Sequence, residues 1–599
     1  MKKLLALALS VVMAFSMVAC GGSKDEGQKV ETKPETITIL GQSSGEANLN
    51  ILRDQLTKAG FTVEINMQPD YSSFQAALSA GNYDLALTGW TTVTGNVDYA
   101  VRGIFHSTGD YNNAPIVDTK IDELIDKGAT ETAAQAVSTY TELESYLVGE
   151  KAYIVPLYST MKNLAYNNQI VKSESVSQPK SRPGCWEMFE YVDSKLNESR
   201  PLVLTQSSST PSTLDPIQAN DGTMNTLSGN MYIKIVNLTD DDQITTDSSL
   251  SHAYAIAEGN NEYYFLLRDD VFFSKAENGH VVNTGVRVGG EDVVYSLERA
   301  CNKDSVATHK TYTLHNHMQT IEMVTDLNEL NTVKDSDTGA TIMDTLKAGA
   351  KGEIKALTTD DEKVDNANGT YQVVKVTTTE PFPQVLNYLA HQSAGILNKD
   401  QVEAYNSKFA VESYDPTKDI CYGDFAAVKS GDSNMLWCSG PYQFISVDDY
   451  GIKFEANPGY MADEKAFAPK INNIYMKFIK DASAANSAFR AGEIDVLGIT
   501  KTSDIPTIEQ DSKFTVMSRP SNGVTYCTFK LTEGSKFNNV DLRLAVLYAI
   551  NQEEFVAFND GYVMPVYSTV GTIIETGSKH THDLVKSSEH LAAYQATVA

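Results

Sequence analysis

From Thr36 onward the apolar positions switch between two periods. Ile37-Thr38-Ile39-Leu40 is a short apolar run of the kind that fills a buried strand. Leu49, Leu52 and Leu56 then recur at helical spacing over residues 46–59, and Gly60 ends the run. Phe61, Val63, Ile65 and Met67 fall on every second position, which is strand spacing. Phe74, Ala77 and Leu78 predict a helix near 72–80 stopped by Gly81, and Tyr83 to Trp90 predicts a third strand. This βαβαβ order predicts a parallel sheet with ligand-facing loops at its strand ends. Helices are expected near 118–127 and 136–149, followed by a strand from Tyr153 to Tyr158.

Beyond residue 200 the pattern is strand-rich and mixed. Residues 263–273 read as a strand pair broken by Arg268-Asp269-Asp270, and 291–300 as a helix with Val293, Val294 and Leu297 inward. A strand is expected at 371–379, a helix opened by proline at 381–390, and a hairpin over 440–447 and 451–458. Residues 484–499 run helix, glycine stop, strand; 540–550 and 587–599 are helical. Between the two halves stands NESRPLVLTQSSSTPSTLDP, residues 197–216. Its composition is that of a linker, yet it holds an apolar strand, PLVLT.

A chain of 599 residues is too long for one compact core, so two or more lobes are expected. The net charge of −29 disfavours nucleic acid or an anionic membrane surface as main partner, because both require a basic face. The first residues differ from the rest. Lys2 and Lys3 precede an apolar run from Leu4 to Val18, the pattern of an export signal. Met17-Val18-Ala19-Cys20 resembles a lipoprotein cleavage box, with Met17 where that box usually has Leu. The expectation is a signal peptide over 1–20, lipidation at Cys20, and a flexible tether over 21–35. Cys185, Cys301, Cys421, Cys438 and Cys527 remain. An odd number cannot all pair in an exported protein, and buried thiols are expected.

Several phrases resemble the extracytoplasmic solute-binding proteins of peptide and nickel ABC transporters, the oligopeptide- and dipeptide-binding family. They are Thr213-Leu214-Asp215-Pro216, Phe265-Leu266-Leu267-Arg268 with Val271-Phe272-Phe273, and Glu291-Asp292-Val293-Val294-Tyr295-Ser296. Gly440-Pro441-Tyr442, Ala491-Gly492-Glu493-Ile494-Asp495 and Val540-Asp541-Leu542-Arg543-Leu544-Ala545 follow in the family's order. What resembles the family's closing lobe lies ahead of them, over 36–195. Its marks are Ser79-Ala80-Gly81-Asn82-Tyr83-Asp84 running into Gly89-Trp90, then Tyr111-Asn112-Asn113, the helix from Asp118, and Ile154-Val155-Pro156-Leu157-Tyr158. Each segment occurs once, which argues against two fused incomplete copies. The resemblance therefore implies an α/β, two-lobed periplasmic-binding-protein-like fold with an extra subdomain, circularly permuted. Residues 196–200 are the join and 201–599 the segment resembling the family's N-terminal and central parts. One lobe is expected from 36–165 plus 528–599, the other from 166–238 and 432–527, with 239–431 as the subdomain.

The resemblance also implies a site. In the family one cleft wall follows the Leu-Asp-Pro phrase, here Asp221, Gly222 and Thr223 after Asn220; the other is the Gly-Trp phrase, here Gly89, Trp90 and Thr91. Glycine permits close backbone approach and Trp offers a flat apolar face with one donor. In oligopeptide binders an Asp shortly after the Gly-Trp phrase pairs with the ligand amine. The first carboxylate here is Asp98, displaced by a few residues, which leaves it an anchor or a neighbouring structural acid. The implied function is capture of peptides or a similar small solute for the permease subunits of an ABC importer. No cofactor is implied, no nucleic acid, and membrane contact only through the lipid. The alternatives are a secreted hydrolase, or a binder of a glycan or nickel chelate. His315/His317 and His580/His582 lack a third ligand at metal spacing and are expected as exposed loop residues; no HExxH or Walker pattern occurs.

Overall fold

The computed structural model describes residues 29–598, apart from 70, 110–115, 207–210, 212, 432–434, 462, 465, 571 and 575–579. The expected signal peptide, Cys20, most of the expected tether and Asn112-Asn113 lie outside the described residues. Among the described residues no helix is long and apolar enough to cross a membrane.

One eleven-stranded sheet runs through the molecule. In chain order its strands are β1 (Glu35–Gln42), β2 (Phe61–Gln68), β3 (Leu85–Thr91), β4 (Ile154–Asn167), β5 (Leu202–Gln206) and β6 (Tyr442–Val447). Then come β7 (Gly451–Ala456), β8 (Asn473–Phe478), β9 (Val496–Ile499), β10 (Phe514–Phe529) and β11 (Val563–Pro565). Their spatial order is β6-β7-β8-β5-β9-β4-β10-β3-β1-β2, with β11 on the edge of β4. β1 pairs parallel with β2 and β3, and β5 parallel with β8 and β9. Each parallel group forms one lobe, and the two long strands β4 and β10 belong to both.

The first lobe forms around the β1–β3 group. Helix α1 (Glu46–Lys58) buries Leu49, Leu52 and Leu56, and the chain turns at Gly60 in the left-handed region, φ 100°. Helix α2 (Tyr71–Ala80) covers the opposite face, where Leu40, Phe74 and Ala86 meet. Ile37 and Ile39 share one core with Leu542, Ala545 and Val546 of the helix Val540–Ala549, and with Leu591 and Tyr594 of the helix Leu584–Val598. Residues from both ends of the chain thus build one lobe.

The strand Leu202–Gln206 inside the Ser/Thr/Pro-rich stretch is no part of a loose linker. It lies in the middle of the sheet between β8 and β9, and buries Leu202 and Leu204. The second lobe forms around it. A subdomain carries its own four-stranded sheet, ordered Met318–Met323, Val373–Thr378, Glu262–Leu267, Ser251–Ile256. Three expectations are corrected. Residues 263–273 do form two strands, but in separate sheets: Glu262–Leu267 pairs within the subdomain, Phe272–Glu277 with His280–Arg287. Leu397, Val402, Tyr422, Phe425 and Val428 pack in the core of the second lobe rather than the subdomain. The strand from Tyr153 does not stop at Tyr158 but runs to Asn167, carrying the chain between lobes.

Candidate functional site

β4 and β10 pair antiparallel from Phe514↔Asn167 to Thr528↔Ile154, with a register shift between Pro520 and Val524. On its outer edge β4 pairs with β9 through Asn163 and with β11 through Thr160. Met161 and Lys162 therefore span the gap between lobes without a partner strand on that side. A cleft of about 670 Å³ opens there. It is lined by Tyr158 and Val563 of the first lobe, Gly498–Thr500 of the second, and the segment Ser177–Gly184 that follows β4. Its position at the carboxyl end of β9 is where open α/β sheets hold ligands.

A polar cluster joins the parts at this seam. Lys162 Nζ donates to the Pro179 carbonyl at 2.7 Å. Arg182 lies 3.4 Å and Arg519 3.8 Å from Asp240, while Asp241 takes Arg519 and, at 3.6 Å, Lys180. Asp242 accepts from Asn522 Nδ2 at 2.6 Å and lies 2.9 Å from the Ser181 hydroxyl. That hydroxyl also lies 3.1 Å from the carbonyl of Thr92, the residue after β3. Asn522 sits in the register shift of β10, so one constellation ties the crossing strand, the post-β4 segment, the subdomain loop and the end of β3. Burial pushes the Lys162 ammonium down to about 8.

The residues named from sequence fall into two places, each at the carboxyl end of a parallel strand. Gly89–Thr91 end β3, paired with Thr525, Val524 and Gly523 of β10. Gly89 and Thr91 are exposed and Trp90 is half-buried. The Trp90 ring lies 5.5 Å from Tyr99, and Tyr99 meets Tyr388 edge-on at 6.4 Å. Tyr388 stacks on Phe382 at 5.8 Å, and Phe382 on His317 at 4.0 Å. This aromatic run crosses from the first lobe to the subdomain beside a recess of about 230 Å³. Asp98 lines the same recess from the helix α3 (Val97–Phe105), but only 1% of it is exposed and Arg102 Nε donates to it at 3.0 Å. Arg102 reaches Asp126 at 2.9 Å with its other arm. Burial raises the Asp98 carboxyl and Arg102 opposes that shift. A ligand amine would have to compete with Arg102 for it.

Asp221 is the N-cap of the helix Gly222–Met231, accepting from Thr223 N at 3.0 Å and Met224 N at 3.1 Å. Gly222 is exposed with open space around its Cα, and Thr223 is buried, its hydroxyl accepting from Gln206 Nε2 at 3.2 Å. That bond fixes the helix start to the end of β5. None of these seven residues lines the 670 Å³ cleft. Lys162, Gln178 and Asn522, which surround the crossing, were not singled out by sequence reasoning. They come from distant stretches and carry no local signature.

The histidine expectation fails for both pairs, His580 and His582 being half-buried. His315 is buried and lies 2.7 Å from the Ser393 hydroxyl, and His317 is half-buried against Phe382. Among the described residues no group of three His, Cys, Asp or Glu is placed to hold a metal ion. The five described cysteines are free thiols, Cys421, Cys438 and Cys527 buried.

The chain is 22% identical over 375 residues to the glutathione-binding protein GsiB of Pectobacterium atrosepticum, covering 62% of this chain. It spans 56% of that relative's length, little more than half. It is similar to the periplasmic binding protein DppA of Helicobacter pylori in complex with the peptide STSA, at 17% identity and a TM-score of 0.40, over 66% of each chain. It is likewise similar to MoaA of A. tumefaciens R10 in complex with mannopinic acid, at 17% identity and a TM-score of 0.39, over 66% of this chain and 65% of that one. The model of the bacterial extracellular solute-binding proteins, family 5 Middle, matches residues 17–112 and 248–596, well over half of the chain, and the chain belongs to that family.

Proposed function

We propose that this protein captures a small peptide or a similar solute outside the cytoplasmic membrane and delivers it to the permease subunits of an ABC importer, without chemistry on the solute. The observation that carries the reading is the seam itself. Two lobes share one sheet, joined through β4 and β10, with a cleft lined from both sides. Hinge closure around a ligand reports occupancy because only the closed state makes both sets of contacts. Gly89–Thr91 and Asp221–Thr223, which lie outside that cleft, are the two surfaces that closure would bring toward the solute, and Asp98 shapes the recess beside Trp90 through Arg102. Cys20 carries the lipid that holds the protein at the membrane.

The chain is a circular permutant of its family. What supports this reading is that residues from both ends of the chain build one core. Permutation alters connectivity and leaves the cleft in place. Peptides come first among the solutes tested, with glutathione included because one relative is named for it. Thermal unfolding with a panel of di- to pentapeptides, glutathione, mannopinic acid and a nickel chelate tests the reading. At least one should raise the melting temperature and be recovered unchanged by mass spectrometry. Turnover of the added solute, or no shift with any member, would overturn it.

A further inference from the structure

The seam holds four cations, Lys162, Lys180, Arg182 and Arg519, and three carboxylates, Asp240, Asp241 and Asp242. Lys180, Arg182 and Arg519 are paired with Asp240 and Asp241, while Asp242 is held by Asn522 and Ser181. Lys162 is left over. Among the described residues it forms no ion pair, and its hydrogen bond goes to the neutral Pro179 carbonyl. A half-buried ammonium with no direct ion pair is open to a further counter-charge, and this one lines the cleft of about 670 Å³ between the lobes. Beside it lies Gln178, 7% exposed and lining the same cleft, whose side-chain oxygen has no hydrogen-bond partner among the described residues. A buried acceptor without a donor is the second unmet demand of the site.

We infer that this cleft takes a small carboxylate that also bears an amide or amine N–H, with Lys162 as counter-ion to the carboxylate and Gln178 Oε1 as acceptor for the N–H. The inference rests on the solute-binding reading and names the chemistry that the seam selects. The volume of about 670 Å³ suits a solute the size of a di- or tripeptide. Because Lys162 stands on the two-residue crossing of β4, a carboxylate held there touches the hinge itself. The groups that act on its charge are Asp242 and Asp240, which favour the ammonium, and Arg182 and Arg519, which oppose it. A ligand carboxylate adds to the first pair, so binding near pH 8 draws a proton onto Lys162.

The test is calorimetric titration of the full chain with the dipeptide Ala-Ala and with its C-terminal amide. The acid should bind at least about tenfold tighter than the amide at pH 7. Its affinity should hold below pH 8 and fall above it. Titration at pH 8 in buffers of different ionisation heat should show uptake of up to about half a proton, and close to none at pH 6. Lys162→Met should erase the difference between acid and amide, and Lys162→Arg should retain most of it. Unchanged melting temperatures establish that the variants fold, and Lys162→Gln replaces Lys162→Met if that chain does not. Equal affinity for acid and amide, acid binding unaffected by Lys162→Met, or no binding of either probe at millimolar concentration would each overturn the inference. A different solute retained by both wild type and Lys162→Met would leave the solute-binding reading intact while this inference falls.

Discussion

Lys33 and Gln595 form a reciprocal pair. The backbone N–H of Lys33 donates to Gln595 Oε1 at 3.1 Å, and Gln595 Nε2 donates back to the Lys33 carbonyl at 2.7 Å. Val30 N–H likewise donates to Ser588 Oγ at 3.0 Å. The segment entering β1 therefore lies against the helix Leu584–Val598, as it would if that helix led directly into the strand. A variant in which this helix is joined to Lys33 by a short linker, with new ends opened within 196–200, should fold to the same structure. Its melting temperature should stay within a few degrees of the parent, read by circular dichroism. A chain that does not fold would contradict the permuted reading.

Trp90 lies near the end of β3 and begins the aromatic run toward the subdomain. Trp90→Ala should weaken solute binding by about 1–3 kcal/mol, the usual value of an aromatic anchor. Trp90→Phe should keep most of the affinity, and titration calorimetry reads both. An undiminished affinity in Trp90→Ala would make this residue a core contact only.

Glu144 gives the fold a pH dependence. It is fully buried, accepts from Thr569 N at 3.0 Å and from the Thr569 hydroxyl, and burial pushes its carboxyl up to about 7. The folded state thus binds a proton more tightly than the unfolded chain does. Its contribution is fully present below the unfolded value near 4.5 and is lost as pH rises through about 7. The loss is on the order of 3 kcal/mol. Glu144→Gln keeps the contacts with Thr569 without the charge. Its stability advantage over wild type should be larger at pH 8 than at pH 5 in denaturant titrations. Parallel curves would contradict this account of Glu144.

Asn522 occupies the register shift of β10 and donates to Asp242 from a buried position. Asn522→Ala leaves that carboxylate short of a donor and should cost about 1–3 kcal/mol of stability. Asn522→Asp should cost more, because it sets two carboxylates at hydrogen-bond distance. Urea unfolding measures both, and a neutral Asn522→Asp would contradict the geometry.

The parts of the fold legible in the sequence are those specified locally. Leu49, Leu52 and Leu56 announce a helix because one face is buried, and Phe61 to Met67 announce a strand by alternation. The resemblance phrases also mark structural anchors. Asp215 of the Leu-Asp-Pro phrase is fully buried and accepts from both arms of Arg299, on the helix that carries the Glu291–Ser296 phrase. β10 was hidden because Ser518-Arg519-Pro520-Ser521-Asn522-Gly523 has the composition of a turn, and only pairing with β4 and β3 keeps it extended. The cleft was hidden for a related reason. Lys162, Gln178 and Ile499 meet through tertiary structure, and an unpaired lysine looks like any other until its surroundings are known. His315 looked like a loop residue because its partner, Ser393, lies 78 residues on.

Native mass spectrometry of the protein purified gently from its own cells is the most direct test of the claim that it captures a solute. A non-covalent adduct in the mass range of a small peptide or comparable solute is expected, lost on denaturation, that rebinds intact and raises the melting temperature. A protein that carries nothing, and that no carboxylate-bearing peptide or other small solute stabilises, would contradict it.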